Sequence, residues 1–99
     1  MEQLTAADRL AKVKTALGMN GNNNQDETLS VYIDEVLEFM IDAGVRREVA
    51  ESTAAVGCLA VGVNDLWNYS SGGVRFSDYF KSRVVQLSLK RVETNVQTD

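Results

Sequence analysis

Residues 26–44 read DETLSVYIDEVLEFMIDAG, and this stretch decides the fold class of the chain. At about 100° per residue, its apolar side chains form a single arc on a helix. The members of this arc are Leu29, Ile33, Val36, Leu37, Met40 and Ile41. Asp26 and Glu27 are favourable in a first helical turn, and Gly44 suits the position just after a last one. The pattern therefore predicts an amphipathic helix over residues 26–43.

Upstream of this helix, the sequence predicts a shorter helix over residues 5–17. Thr5, followed by Asp8 three residues later, resembles a capping box, in which each side chain accepts a hydrogen bond from the other residue's backbone. Gly18 follows the last apolar position, where a left-handed backbone often ends a helix. The Gly- and Asn-rich residues 18–25 then predict a polar loop.

Downstream, the sequence predicts two further helices, over residues 53–69 and 78–89. Ser52 and Ser77 suit their N-caps, because a serine hydroxyl can accept a hydrogen bond from a first-turn N–H. The first of these helices is apolar on nearly every face, which predicts a central position in a bundle or contact with another subunit. Residues 45–49 have room for one additional turn.

Three residues inside the third predicted helix carry separate expectations. Gly57 and Gly62 each weaken a helix by about 1 kcal/mol relative to Ala, so we expect another helix backbone to come close at both, either within the fold or across subunits. Asp65 follows the apolar run and is expected to mark where the helix emerges into solvent or meets a partner.

Together these segments predict an all-α protein, a compact bundle of about four helices with no competing strand pattern. Ninety-nine residues is the length of one ordinary domain. We expect a single domain over residues 1–99, with its core in residues 8–91 and a mobile tail over residues 92–99.

Composition argues against several classes of function. The chain has no histidine and one cysteine, which disfavours zinc fingers, Ser-His-Asp triads and disulfide frameworks. Cys58 lies in the most apolar segment and is interpreted as packing. Fourteen acidic against ten basic residues, net −4, disfavour a nucleic-acid binder or a basic membrane-surface protein. We expect no enzyme, no cofactor and no metal site.

The first ten residues and the longest apolar run bear on the cellular location of the protein. The first ten residues have neither a basic nor an apolar region of the kind that signal peptides need. The run over residues 54–63 is about half the length of a membrane span. These features predict a soluble cytoplasmic product without a membrane partner.

Acidic residues are concentrated in the helix predicted over residues 26–43, which contains no Lys or Arg. Asp34, Glu38 and Asp42 stack at i, i+4 and i+8, and Glu35 flanks them. We call these four residues the acidic stripe. This stripe is either a solvated face, a site for cations of a neighbouring chain, or a surface that must not adhere to DNA.

The C-terminal half carries the matching candidates for an interface. Head-to-tail packing of the acidic stripe against a basic region would be complementary in charge, and that region comprises Lys81, Arg83, Lys90 and Arg91. Trp67 and Tyr69, at the end of the third predicted helix, are either core residues or interface anchors.

The order of these segments resembles one family of proteins over roughly residues 8–91. The matching pieces are LAKVKTALG (10–18), the Asn-rich loop, LSVYIDEVLEFMIDAG (29–44), LWNY (66–69) and FSDYFKSRVVQLSL (76–89). The chain is similar to the small helical head–tail connector, or adaptor, proteins of long-tailed double-stranded DNA bacteriophages and prophages. The order and spacing of the helices carry the likeness, and no single motif is diagnostic.

The resemblance implies a non-enzymatic structural protein of the virion, made in the bacterial host cytoplasm. It implies a homo-oligomeric ring, twelvefold in the virion, that lies below the portal and extends the DNA channel. The implied partners are the portal protein and the next connector or tail-completion protein, with DNA passing through without specific binding. The isolated chain is compatible with a monomer, because such rings often form only on their template. The resemblance makes the acidic stripe a candidate for the channel wall or the inter-subunit seam. It makes the tail a candidate to become ordered on the portal.

Two alternatives come from other classes of protein. A small helical regulatory or DNA-binding module would need a recognition helix, and the nearest segment carries Lys81, Arg83 and Gln86, although the net charge opposes it. A partner protein of the antitoxin or chaperone type has no positive feature in the sequence.

Overall fold

The structure, a computed structural model, describes residues 2–68 and 76–90. Over these ranges it is an all-α bundle, which confirms the predicted fold class. Its elements in chain order are α1 (Ala6–Ala16), α2 (Asp26–Asp42), α3 (Arg47–Ala50), a 3₁₀ turn (Thr53–Ala55), α4 (Val56–Asn68) and α5 (Asp78–Ser88). The four long helices correspond to the four predicted ones, and α3 overlaps the additional turn allowed between the second and the third. The predicted mobile tail, residues 92–99, lies outside the described residues.

The predicted ends of α1 and α2 are confirmed by their hydrogen bonds and backbone angles. Thr5 Oγ1 accepts from the Asp8 N–H at 3.0 Å, and the Thr5 N–H donates to Asp8 Oδ2 at 3.3 Å, which completes a capping box. Gly18 and Gly44 follow the two helices with φ of +73° and +109°, a region that side chains disfavour.

The third predicted helix begins later than the sequence indicated. Residues 53–55 form a 3₁₀ turn after the N-cap Ser52, and α-helical geometry begins only at Val56. Just before this turn, the Thr53 N–H donates to the Glu2 carbonyl at 3.0 Å and the Leu4 N–H donates to the Glu51 carbonyl at 3.1 Å. The N-terminal residues therefore pair with the segment that leads into α4.

The core lies where α2 and α4 pack along each other, with α1 and α5 against them. Five of the six residues of the predicted apolar arc on α2 are buried, and Ile41 is half-buried. The other helices contribute, among others, Val13, Leu59, Val63, Leu66, Phe80, Val84 and Leu87. A single apolar cluster therefore joins all four long helices.

The two glycines of α4 behave differently. A Cβ added at Gly62 would lie 2.7 Å from Phe80 Cε1 and 2.8 Å from Val36 Cγ1. A close approach is found at Gly62, but side chains of α2 and α5 make it rather than a helix backbone. At Gly57 nothing of the chain lies within 4 Å of the added Cβ, so the approach within the fold is absent there, and the approach across subunits stays a prediction.

Candidate functional site

An open groove of about 710 Å³ lies on the outward face of α2. Four of its lining residues are the carboxylates of the predicted acidic stripe, Asp34, Glu35, Glu38 and Asp42, and all four are exposed. The rest of its described lining is apolar, consisting of Val31, Phe39, Leu66 and Phe76. We call this feature the acidic groove. The stripe was predicted from sequence, but the apolar surface beside it was not, because Leu66 and Phe76 come from elsewhere in the chain.

Aromatic packing supports one wall of the acidic groove. The centroid of Phe76 lies 4.5 Å from that of Phe80 and 4.7 Å from that of Phe39. Phe80 is fully buried and also lies 5.6 Å from Phe39. Phe76 precedes the N-cap of α5 and packs back across its first turn onto Phe80. The apolar wall is therefore the outer edge of the core.

The carboxylates of the acidic groove have no compensating cation in the part of the chain that the structure describes. The ion pairs found there join Lys14 to Asp26 and Arg47 to Glu51, and neither involves the groove. Like charges at i, i+4 destabilise a helix by about 0.2–0.5 kcal/mol per pair. The stripe therefore opposes helix stability slightly, and no described interaction within the chain offsets this.

The predicted basic region lies on α5 and just after it. Lys81 and Lys90 are exposed, and Arg83 is half-buried with its Nη1 donating to Gln86 Oε1. Between these cations, Val85 is 60% exposed and Leu89 is 76% exposed. At about 100° per residue, Lys81, Val85 and Leu89 lie on one side of α5, whereas Arg83 and Lys90 lie roughly opposite Lys81. Two further members of the predicted interface set, Tyr69 and Arg91, lie outside the described residues.

Trp67 lies at the edge of the core, partly packed and partly exposed. Its aromatic ring meets that of Tyr32 on α2 edge-on, with the centroids 5.8 Å apart and the planes at 89°. The side chain is nevertheless 36% exposed, so part of it stays accessible at the end of α4. A role as an interface anchor remains a prediction.

The expectation for Asp65 is wrong, because its side chain is buried between α4 and the start of α5. Asp65 Oδ2 accepts a hydrogen bond from the Ser77 N–H at 2.9 Å. Ser77 Oγ in turn accepts from the Phe80 N–H at 3.1 Å, which confirms Ser77 as the N-cap. A carboxylate at a helix N-terminus is also favoured by the helix dipole. No local sequence pattern predicts this contact, because it joins residues twelve positions apart.

Replacing Asp65 with Ala is expected to lower the free energy of unfolding by about 1–3 kcal/mol, because the part-buried Ser77 N–H loses its acceptor. Urea denaturation followed by circular dichroism measures the change. Asp34→Ala is the matched control, since it removes an exposed carboxylate and should change stability by less than about 0.5 kcal/mol. Equal effects of the two substitutions would contradict the assigned role.

Cys58 has the properties of a packing residue, as the sequence indicated. It is 1% exposed, and burial raises the pKa of its thiol to about 11, with the Arg83 charge lowering it in part. A thiol with this pKa is almost entirely protonated at neutral pH, and only the thiolate is strongly nucleophilic. In residues 2–68 and 76–90, no group of three or more Cys, Asp or Glu side chains is placed to hold a metal ion.

The Cys58 thiol is therefore expected to react with a disulfide reagent at pH 8 at least about 100-fold more slowly in the folded chain than in urea, since a pKa two units higher lowers the thiolate fraction by that factor. Absorbance of the released thiolate measures the rate. Because burial raises the pKa of the Cys58 thiol, the reactivity of the folded thiol should increase as the pH rises toward 11. Equal rates in buffer and urea would contradict the burial.

Comparison of the chain with protein-family models, curated proteins and solved structures finds no match. Among the described helices, none is both long and apolar enough to cross a membrane. The geometry thus defines the class of protein, a small all-α bundle with an acidic groove along one helix.

Proposed function

We propose that this chain is a non-enzymatic structural subunit of the head–tail connector of a long-tailed double-stranded DNA phage or prophage. In this role it forms a ring below the portal, extends the DNA channel and provides the surface on which the tail docks. Its partners are further copies of itself, the portal protein and the next connector or tail-completion protein.

One observation carries the proposal. The order of helices and loops over residues 8–91 resembles that of the connector family, and the four long elements of this order occur in the bundle as α1, α2, α4 and α5. The resemblance depends on order and spacing, so the agreement of the helix bounds with the sequence pattern supports it.

The charge of α2 is compatible with two positions in such a ring. Facing the channel, the exposed carboxylates would repel phosphates, so that DNA slides past rather than adheres. Facing a neighbouring subunit, they would meet cations of the next copy. In either position the acidic groove faces away from the core of its own chain.

Co-assembly with portal rings tests the function. The purified full-length chain is mixed with portal rings of the same phage and imaged by electron microscopy, with portal rings of an unrelated phage as the control. We expect additional density that forms a stoichiometric collar below the cognate portal only. An absence of collar density, together with salt-sensitive retention on duplex DNA, would overturn the proposal in favour of a DNA-binding regulatory module.

A further inference from the structure

We propose that Asn20 and Gly21 form a self-modification site, at which the Gly21 backbone nitrogen attacks the Asn20 side-chain amide and converts it to a carboxylate through a cyclic imide. Water is the only co-reactant. The site lies in the loop between α1 and α2, which contributes none of the described lining of the acidic groove. The inference therefore goes beyond the proposed function and does not depend on it.

The sequence of this loop contains the one Asn–Gly pair of the chain. Ring closure by a backbone nitrogen is easiest when the following residue is glycine, because no Cβ hinders the approach of the side-chain carbonyl carbon. Every other asparagine of the chain is followed by a larger residue. Three of these, Asn22, Asn23 and Asn24, lie in the same loop and provide internal comparisons.

The structure leaves the attacking nitrogen accessible. Asn20 and Gly21 are both exposed, and Gly21 has a φ of +82° in a turn closed by the Asn22 N–H donating to the Met19 carbonyl at 3.2 Å. Within residues 2–68 and 76–90, the Gly21 N–H donates to no acceptor. The nitrogen therefore loses no described hydrogen bond when it attacks.

The Asn20 amide is held by a single described contact. Thr15 Oγ1 lies 3.0 Å from Asn20 Oδ1 and 3.1 Å from the Ala11 carbonyl oxygen. A hydroxyl has one proton, so it cannot donate fully to both acceptors at once. An exposed hydrogen bond also contributes little net free energy, because water replaces it when it breaks. The amide can therefore turn toward Gly21 at little cost.

Attack also requires the peptide plane between Asn20 and Gly21 to rotate until the nitrogen faces Asn20 Cγ. Gly21 permits this rotation, because a residue without a Cβ populates positive and negative φ about equally. Among the described residues, none donates to the Asn20 carbonyl, and the N–H of the same plane is likewise unpaired. The rotation of this plane therefore breaks no described hydrogen bond of its own groups.

The reaction has two steps. In the first, a bond forms between the Gly21 nitrogen and Asn20 Cγ, and the bond from Cγ to Nδ2 breaks. Nδ2 leaves as ammonia with the proton of the Gly21 N–H. In the second, water opens the imide, giving aspartate at position 20 when it adds to Cγ and isoaspartate when it adds to the main-chain carbonyl carbon. Either product makes the chain one unit more negative than its formal charge of −4.

Peptide mapping by mass spectrometry tests the site. The purified full-length chain is kept at mildly alkaline pH, circular dichroism verifies that it stays folded, and conversion of each asparagine is followed over time. We expect Asn20 to convert at least about tenfold faster than the three exposed asparagines that follow Gly21. We also expect isoaspartate, because direct hydrolysis of the side chain by water gives only aspartate. Conversion of Asn20 no faster than that of its neighbours, or without isoaspartate, would overturn the proposal.

The same measurement in urea separates the effect of the fold from that of the sequence. Because the loop leaves the pair exposed and nearly unrestrained, the rate at Asn20 in the folded chain should lie within about tenfold of the rate in urea. A greater slowing on folding would overturn the proposal, since the loop would then protect the pair.

A substitution in urea, where the strain of a side chain at positive φ no longer matters, tests the role of glycine. Gly21→Ala should slow conversion of Asn20 at least about tenfold, because its Cβ hinders ring closure. Asn22→Ala is the matched control, since it leaves the pair intact and should keep the wild-type rate. Equal rates for the two variants would contradict attack by the Gly21 nitrogen.

Discussion

Replacing Phe80 with Ala is expected to lower the free energy of unfolding by about 3–5 kcal/mol, which is the usual loss for a buried phenylalanine. Phe80 is fully buried, and its aromatic ring stacks on that of Phe76 and packs near that of Phe39. The substitution would leave a cavity between α5 and the two helices it packs against. For a domain whose total stability is about 5–15 kcal/mol, this is a large fraction.

Tyr79→Ala is the matched control for this substitution, because Tyr79 is the adjacent aromatic residue on α5 and is 62% exposed. Its effect should stay within about 0.5 kcal/mol. Urea denaturation of both variants, followed by circular dichroism, measures the two changes under one protocol. A loss for Phe80→Ala no greater than that for Tyr79→Ala would show that α5 does not pack through Phe80.

The Phe80 substitution also bears on the acidic groove. Phe76 and Phe39 line the groove, and the buried Phe80 packs against both of them from the core side. The groove wall is therefore supported by the core, and loss of Phe80 should alter the shape of the groove as well as lower stability. Asp65, which accepts from the N-cap residue of α5, supports the same end of that helix.

The second large effect is expected for Gly62→Ala, which should lower the free energy of unfolding by about 1–3 kcal/mol through overpacking. The added Cβ would lie 2.7 Å from Phe80 and 2.8 Å from Val36, closer than carbon atoms can pack. Both neighbours belong to the buried core, and the short β-branched Val36 has little freedom to move away. The gain in helix propensity, about 1 kcal/mol, is too small to reverse the sign in a tightly packed site.

Gly57→Ala provides a control of opposite sign within the same helix. Its Cβ would meet nothing within 4 Å, so only the helix propensity changes and stability should rise by about 0.5–1 kcal/mol. Thermal unfolding of the two variants measures the difference, which is expected as a lower Tm for Gly62→Ala and a higher Tm for Gly57→Ala. Two shifts of the same sign would contradict the packing of α4 against α2 and α5.

Local sequence features account for the helices and most of their ends. The apolar arc on α2 has the helical period, so its buried face follows from the spacing of its residues alone. Thr5 with Asp8, Gly18 and Ser77 act within one turn of the helix they begin or end, and each has the predicted role. The exposed carboxylates of α2 follow from the same period, because they lie opposite the arc.

The remaining features depend on residues distant in the chain, and only the tertiary structure decided them. Residues 2–4 pair with the segment that leads into α4, and Asp65 is buried by the N-terminus of α5. Gly62 differs from Gly57 because only Gly62 faces Phe80 and Val36. The acidic groove likewise needs Leu66 and Phe76 beside α2. Periodicity specifies which face of a helix is apolar, but the partner of that face is specified by packing among all the helices.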